Sequence, residues 1–242
     1  MNLWSKGIFK IFALVAMLCI VGSSFATSTS LSEISKKPVK VEKLNAKLTK
    51  LETQILISKV KVYLKTHPNA SADEVYNYLL KEKLTRIKIS KNKPLLLWYP
   101  KLNEQEKKLF NEDPYKGSIA LACAVESFAQ QYYYYGVIKS VGTNADAFRH
   151  GLWMSLIASN INKEYALRWG YAHEGYESRP PNTDLQNNID LRMDIYNDEI
   201  GVNYAPSEVM NHIVRGDFWR YIKEDGTIYN YLIPTDGTGR IR

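Results

Sequence analysis

The residue types most able to do chemistry are concentrated in three short blocks of this sequence. In the first block, Asp146, Arg149, His150 and Trp153 stand at positions i, i+3, i+4 and i+7 of a predicted helix. Residues at this spacing project from one side of a helix. A carboxylate, a guanidinium and an imidazole on one face can together bind an anion and move a proton.

The second and third blocks add side chains of the same kinds. The second block is Ala172-His173-Glu174, and the third runs from Met193 to Gly201. In the third block, Asp194 and its polar neighbours lie along the edge of an apolar stripe. Polar groups beside buried stripes can meet between helices, so we expect the three blocks to converge on one site.

Two mechanisms are compatible with these side chains. In a metal site, His150, His173 and Asp194, with or without Glu174, bind a divalent ion, zinc or manganese, which activates a water molecule. In a metal-free site, Asp146 or Glu174 orients a histidine that acts as the general base. In both mechanisms a guanidinium stabilises negative charge, and phosphate is its natural partner. The candidate catalytic residues are His150, His173, Glu174, Asp146 and Arg149, and the secondary candidates are Asn197, Asp198, Trp153 and Glu126.

A purely structural interpretation of the same residues stays open. In it, Arg149 pairs with Asp146, His150 holds Glu174 or Asp194, and Asn197 caps a neighbouring helix end. However, two histidines, several carboxyl groups and an arginine are costly to bury for packing alone. The combination therefore favours chemistry or ligand binding.

The three blocks, DAFRHGLW (146–153), AHE (172–174) and MDIYNDEIG (193–201), resemble an uncharacterised bacterial domain family. That family occurs in secreted proteins and at the C-terminal ends of toxin-like surface proteins, and the resemblance implies no established activity. It extends from about Leu102 through the C-terminal hairpin. Gly151 and Asp198 depart from the family pattern, in which Ala and a second Asn are usual. The resemblance also implies a third alternative, a toxin that needs an immunity partner.

Apolar periodicity predicts an all-α fold, a multi-helix bundle with a small C-terminal β-hairpin and a basic N-terminal helical arm. The residues Ser71-Ala72-Asp73-Glu74 have the spacing of a capping box. Asp225-Gly226 is a turn dipeptide between alternating residues, which predicts hairpin strands over 218–222 and 227–233. The expected helices run from Val41 toward Lys65, from Ser71 to about Leu84, and over 104–111, 117–135, 145–160, 163–176 and 185–202.

The N-terminal segment predicts export. Lys6 and Lys10 precede an apolar run over 11–21 and the small residues before Ala26, which is typical of a cleaved signal peptide. We expect cleavage near Ala26 and a secreted or periplasmic protein with no transmembrane segment in the mature chain. The predicted organisation is a signal peptide over 1–26, a flexible leader over 27–39, a basic helical arm over 40–95 and a mainly helical domain over 96–242.

Charge is divided unevenly along the chain. Residues 27–95 contain 15 Lys and Arg against 6 Asp and Glu, whereas residues 96–242 contain 15 against 19. We expect the basic arm to contact an anionic envelope surface or substrate; the alternative is that its lysines form the solvated face of a helical hairpin. The acidic domain gives no support for nucleic acid as a partner.

Together these features predict a secreted hydrolase of a phosphoester or another anionic envelope-type substrate, with or without a metal ion. The alternative is a non-catalytic binding or assembly module whose polar cluster is structural.

Overall fold

Helices make up most of the chain that the computed structural model describes, which comprises residues 46–87, 101–137 and 140–241. In chain order they are α1 (Ala46–Thr66), α2 (Ala72–Ile87), α3 (Glu104–Glu112), α4 (Pro114–Tyr135), α5 (Asn144–Asn160), α6 (Lys163–His173), α7 (Asn182–Asn187), α8 (Ile189–Gly201) and α9 (Val209–Arg215). Strands β1 (Trp219–Ile222) and β2 (Ile228–Pro234) follow and pair antiparallel. The predicted all-α fold with a terminal hairpin is confirmed. None of the described helices combines the length and apolarity needed to cross a membrane.

Some predicted features lie outside the described residues. These are the signal peptide over 1–26, the leader over 27–39 and the boundary between the arm (40–95) and the helical domain (96–242). The predicted capping box is confirmed, because the Ser71 N–H donates to Glu74 Oε2 over 2.8 Å and the Glu74 N–H donates to Ser71 Oγ over 3.3 Å.

The helix predicted over 185–202 is two helices, α7 and α8. Asn188 ends the first with an extended backbone (φ −130°), and its side chain accepts hydrogen bonds from the N–H groups of Asp190 and Leu191, which caps the second. Helix α6 ends at His173 rather than at Tyr176, and Gly175 then turns the chain with a φ of +84°. The short helix α9 is an element that the sequence pattern does not predict.

The core is built around α4, which packs against α1, α2, α3 and α5. Asp113 caps the start of α4, Pro114 occupies its first turn, and Gly136 ends it in the left-handed conformation with a φ of +68°. Helix α5 packs in turn on α6 and α8, and β1 packs on α8. The helices that carry the three sequence blocks are therefore neighbours.

A buried ion pair ties the N-terminal helices to α4. Lys83 of α2 pairs with Glu126 of α4 and lies 3.3 Å from Glu52 of α1. The Glu126 side chain is completely buried and also accepts a hydrogen bond from Gln130 over 2.6 Å. Removing one partner of such a pair typically costs about 3–5 kcal/mol, so the pair fixes where α1 and α2 pack.

Two glycines let α5 and α8 approach closely. A Cβ at Gly201 would lie 2.7 Å from the Gly151 carbonyl oxygen and 2.8 Å from the Gly151 Cα. Gly151 itself packs against the Phe218 ring, because a Cβ at Gly151 would lie 2.4 Å from Phe218 Cε1. The carboxyl groups of α8 can reach α5 because these positions carry no side chain.

We expect Gly201→Ala to lower the free energy of unfolding by about 1–3 kcal/mol, because the new methyl group forces two backbones apart. Gly237→Ala is the matched control, since its Cβ would meet Val214 at an ordinary 3.6 Å, and its effect should stay within about 0.5 kcal/mol. Urea unfolding followed by circular dichroism measures both variants. Equal stability of the two variants would contradict the close approach of α5 and α8.

Candidate functional site

His150 lies at the centre of the polar side chains that α5 carries. Its Nδ1 lies 3.0 Å from Asp198 Oδ1, and its Nε2 lies 2.9 Å from Arg149 Nη2. Because a guanidinium can only donate, Nε2 accepts a hydrogen bond and the Nδ1–H donates to Asp198. Burial, and then the charges of Arg149 and His173, hold the pKa of His150 well below its usual value. His150 is therefore a neutral imidazole with its proton on Nδ1.

His173 reaches the same place from the end of α6. Its Nδ1 lies 2.9 Å from Oε1 of Glu106, and its ring centroid lies 5.9 Å from that of His150. Burial lowers the pKa of His173, but the hydrogen bond and charge of Glu106 outweigh this effect, so that the pKa is raised. In both imidazoles, Nδ1 thus contacts a buried carboxyl group. Nε2 is the other ring nitrogen and does not take part in this contact.

Glu106 is a site residue that the sequence analysis missed. The start of α3 fixes it, because its N–H donates to Asn103 Oδ1 over 2.9 Å and its Oε2 accepts from the Asn103 N–H over 2.8 Å. The Asn103 side chain also donates to the carbonyls of Ala172 and His173. The spacing Asn103-x-x-Glu106 is a sequence signal for a capping box, but it does not indicate that the second oxygen reaches His173.

Arg149 and Asp146 form the ion pair that their spacing predicts. Asp146 Oδ2 also accepts a hydrogen bond from the Gly142 N–H over 2.9 Å, which fixes the carboxylate at the start of α5. The guanidinium carbon lies 4.9 Å from the centre of the Phe128 ring. Within the described part of the chain, the buried Nη1 has no hydrogen-bond partner, so both of its N–H groups are unpaired.

Helix α8 adds three carboxyl groups, those of Asp190, Asp194 and Asp198. Burial, and then neighbouring carboxyl groups, raise the pKa of all three, most strongly for Asp194 and Asp198. Asp194 Oδ1 lies 3.4 Å from His150 Nε2. Neither this oxygen nor Asp198 Oδ2 has a hydrogen-bond partner among the described residues. The polar cluster is therefore incompletely paired.

Two groups of these residues have ligand atoms close enough together to hold a metal ion. In the first, one atom each of His150, His173 and Glu174 lie within 4.8 Å of one another. In the second, the same limit holds for Asp146, Asp190 and Asp194. Of the two carboxylates expected beside the histidines, the structure places Glu174 in their group and Asp194 in the second group. Asp194 Oδ1 nevertheless lies 3.4 Å from His150 Nε2.

The polar cluster reaches the protein surface on one side. The side chain of His173 is 17% exposed, whereas that of His150 is 1% exposed. Glu174 and Asp190 are partly exposed as well. The cluster therefore opens at the end of α6 and the start of α8 and becomes buried toward His150.

The secondary candidates have other surroundings. Asn197 binds the backbone of Trp219 in β1 through two hydrogen bonds of 2.8 and 2.9 Å, and not a helix end. The contacts of Glu126 described above are with Lys83 and Gln130, neither of which belongs to the cluster. The Trp153 indole N–H donates to the Ala120 carbonyl, and its ring packs edge to face on the His173 ring at a centroid distance of 4.9 Å. Of the four secondary candidates, Asp198 and Trp153 therefore contact the histidines.

The thiol of Cys123 does not belong to this site. Cys123 is fully buried in α4, and burial raises its pKa. A thiol in such surroundings is a poor nucleophile.

All three sequence blocks lie inside a segment that matches a known domain family. Residues 107–215 match the model of a domain of unknown function, DUF6973. The DUF6973 match begins within α3 and ends with α9, so it contains both histidines but not Asn103, Glu106 or the hairpin. It supports the resemblance to an uncharacterised domain family and names no activity. No curated protein and no solved structure matches the chain.

The tautomer of His150 depends on the hydrogen bonds around its ring and can be measured. We expect the metal-free protein at neutral pH to hold His150 as the tautomer protonated on Nδ1, because Arg149 donates to Nε2 and Asp198 accepts from Nδ1. Long-range ¹H–¹⁵N correlation spectra distinguish the tautomers, and His150→Gln assigns the signal. A His150 ring protonated on Nε2 alone would contradict the arrangement.

Proposed function

We propose that this protein is a hydrolase that cleaves a phosphoester or another anionic envelope-type substrate at the cluster around His150. The observation that carries the proposal is the meeting of two imidazoles, one guanidinium and several carboxyl groups from four helices, α3, α5, α6 and α8. Three buried polar atoms of this cluster have no partner among the described residues. Buried polar atoms are normally paired, and exceptions are common where a ligand binds.

Arg149 is the group suited to an anionic substrate. Asp146 and His150 hold its Nη2, while Nη1 is left without a partner among the described residues. A guanidinium N–H that points to a phosphate oxygen forms a strong, charge-assisted hydrogen bond. If this bond strengthens as negative charge develops on the phosphate, it lowers the barrier to hydrolysis.

The rest of the cluster supports attack by water. A hydrolytic site needs a group that takes a proton from the attacking water at neutral pH. The cluster offers carboxyl groups and a neutral imidazole on its inner side, next to Arg149. The partly exposed His173 and Glu174 lie on the open side, where substrate and water enter.

The cellular setting of the proposal comes from the sequence. Residues 1–26 have the pattern of a signal peptide, which favours secretion and a substrate outside the cytoplasm. Lys50, Lys61, Lys65 and Lys81 on α1 and α2 are exposed. We propose that these lysines bring the enzyme to an anionic envelope surface.

The test compares hydrolysis of a chromogenic phosphodiester, phospholipid vesicles and purified cell wall by the wild-type protein and its variants. We expect wild type to hydrolyse at least one substrate, and His150→Ala, His173→Ala and Arg149→Met to lose about 100-fold or more of that rate. His67→Ala and Arg168→Met are matched controls, since both residues lie on the exposed surface away from the cluster.

Glu174→Gln is the additional variant in case the buried substitutions prevent folding, because Glu174 is only partly buried. Circular dichroism confirms that each variant is folded. Folded cluster variants that retain full activity would overturn the proposal. Wild type without activity, together with a loss of several kcal/mol of stability in His173→Ala, would favour the binding or assembly module in which the cluster is structural.

A further inference from the structure

The two imidazoles of the cluster are oriented in the manner of metal ligands. Asp198 accepts from Nδ1 of His150, and Glu106 lies 2.9 Å from Nδ1 of His173. A histidine that binds a metal through one ring nitrogen nearly always has its other nitrogen on a carboxylate or a carbonyl, which fixes the ring and makes it a better ligand. Here two separate helices, α3 and α8, supply such carboxyl groups to two histidines whose ring centroids lie 5.9 Å apart.

We propose that His150 Nε2, His173 Nε2 and a carboxylate oxygen of Glu174 bind one divalent transition-metal ion of the zinc type. One possible ligand atom from each of these three residues already lies within 4.8 Å of the other two. Zinc bonds to imidazole nitrogen and carboxylate oxygen are about 2.0–2.2 Å long, so side-chain adjustments of about 1 Å complete the site.

Asp194 gives independent support for a cation at this position. Its buried Oδ1 has no hydrogen-bond partner among the described residues and lies 3.4 Å from His150 Nε2. A carboxylate oxygen in such a position is either protonated or beside a cation. An ion at His150 gives this oxygen a partner, either as a fourth ligand or through a bound water.

The carboxyl groups of the cluster also favour a bound cation. Six carboxyl groups lie around one guanidinium and two imidazoles, those of Glu106, Asp146, Glu174, Asp190, Asp194 and Asp198. A divalent ion among these carboxyl groups would favour their ionised forms and offset their mutual repulsion. The adjoining Asp146, Asp190 and Asp194 strengthen the electrostatic attraction for the ion.

Arg149 competes with the ion for the lone pair of His150 Nε2. Its Nη2 donates to the same His150 Nε2 lone pair that the ion would use, so the ion must displace this hydrogen bond. Arg149 keeps its ion pair with Asp146 after the displacement, and its Nη2 becomes available beside the unpaired Nη1. Metal binding therefore frees the guanidinium for an anionic substrate.

The donor set selects the kind of ion. Two imidazole nitrogens and one carboxylate oxygen, with a position left for water, are typical of catalytic zinc, whereas magnesium prefers oxygen ligands alone. The role of the ion in catalysis rests on the proposed hydrolase function: it would lower the pKa of a bound water toward about 7. Binding itself rests only on the geometry above.

The test measures zinc binding to the metal-free protein, from which any affinity tag has been removed. Competition with a chromophoric chelator gives the dissociation constant for ZnCl₂, and mass spectrometry of the dialysed protein gives the stoichiometry. We expect one zinc ion per chain at this site. Glu106→Gln should bind zinc about 10- to 100-fold more weakly, because it removes the carboxylate charge beside His173, whereas Gln at the same position of a helix still forms a capping box with Asn103. His173→Ala and Glu174→Gln should weaken zinc binding more than Glu106→Gln does.

Arg149→Met should bind zinc more tightly than wild type, because it removes both a competitor for His150 and a positive charge. In a purely structural cluster, Arg149→Met would not strengthen zinc binding while the other cluster variants weaken it. His67→Ala and Glu177→Gln are matched controls on the exposed surface and should bind zinc as wild type does.

Two results would overturn the metal site: no zinc uptake by folded wild type, or uptake that His173→Ala and Glu174→Gln both leave unchanged. The substrate assays separate this failure from that of the hydrolase. Hydrolysis by protein that binds no zinc would leave the proposed function standing without the metal site. Zinc binding without hydrolysis of any substrate would leave the metal site standing without the proposed function.

Discussion

The candidate site depends on how His150 is held at both of its ring nitrogens. Asp198 fixes the proton on Nδ1, and Nε2 faces Arg149 and Asp194. This arrangement keeps a neutral imidazole, with a usable lone pair, deep in a strongly charged interior. Glu106 holds the second histidine in the same way from a different helix. The chemistry of the site therefore follows from two buried carboxyl groups that orient two rings.

The fold makes this arrangement possible through close helix packing. Gly201 and Gly151 bring α8 against α5, and Gly170 leaves room on α6 for the Asp198 carboxyl group, which a Cβ at that position would meet. The helices are thus close enough for short side chains to touch. The unpaired oxygens of Asp194 and Asp198 destabilise the cluster itself, so the surrounding core of α4 and α5 must compensate. Such local cost is typical of functional sites.

The sequence predicts the fold and the part of the site that depends on spacing within a single helix. The i, i+3 spacing places Arg149 beside Asp146 within one helix, and the structure shows that pair. Glu106 could not be predicted as a site residue, because 67 residues separate it in sequence from His173. Its spacing to Asn103 indicates only a capping box. Asn197 has the right position on α8, but it faces β1, and the packing of the hairpin cannot be derived from periodicity.

A crystal of the protein soaked in ZnCl₂, with diffraction recorded at the zinc absorption edge, would locate the ion. We expect one strong anomalous peak about 2.0–2.2 Å from Nε2 of His150 and Nε2 of His173, with Asp198 and Glu106 still beside the Nδ1 atoms. A zinc peak elsewhere, or both Nε2 atoms turned away from a common point in a folded crystal, would contradict it.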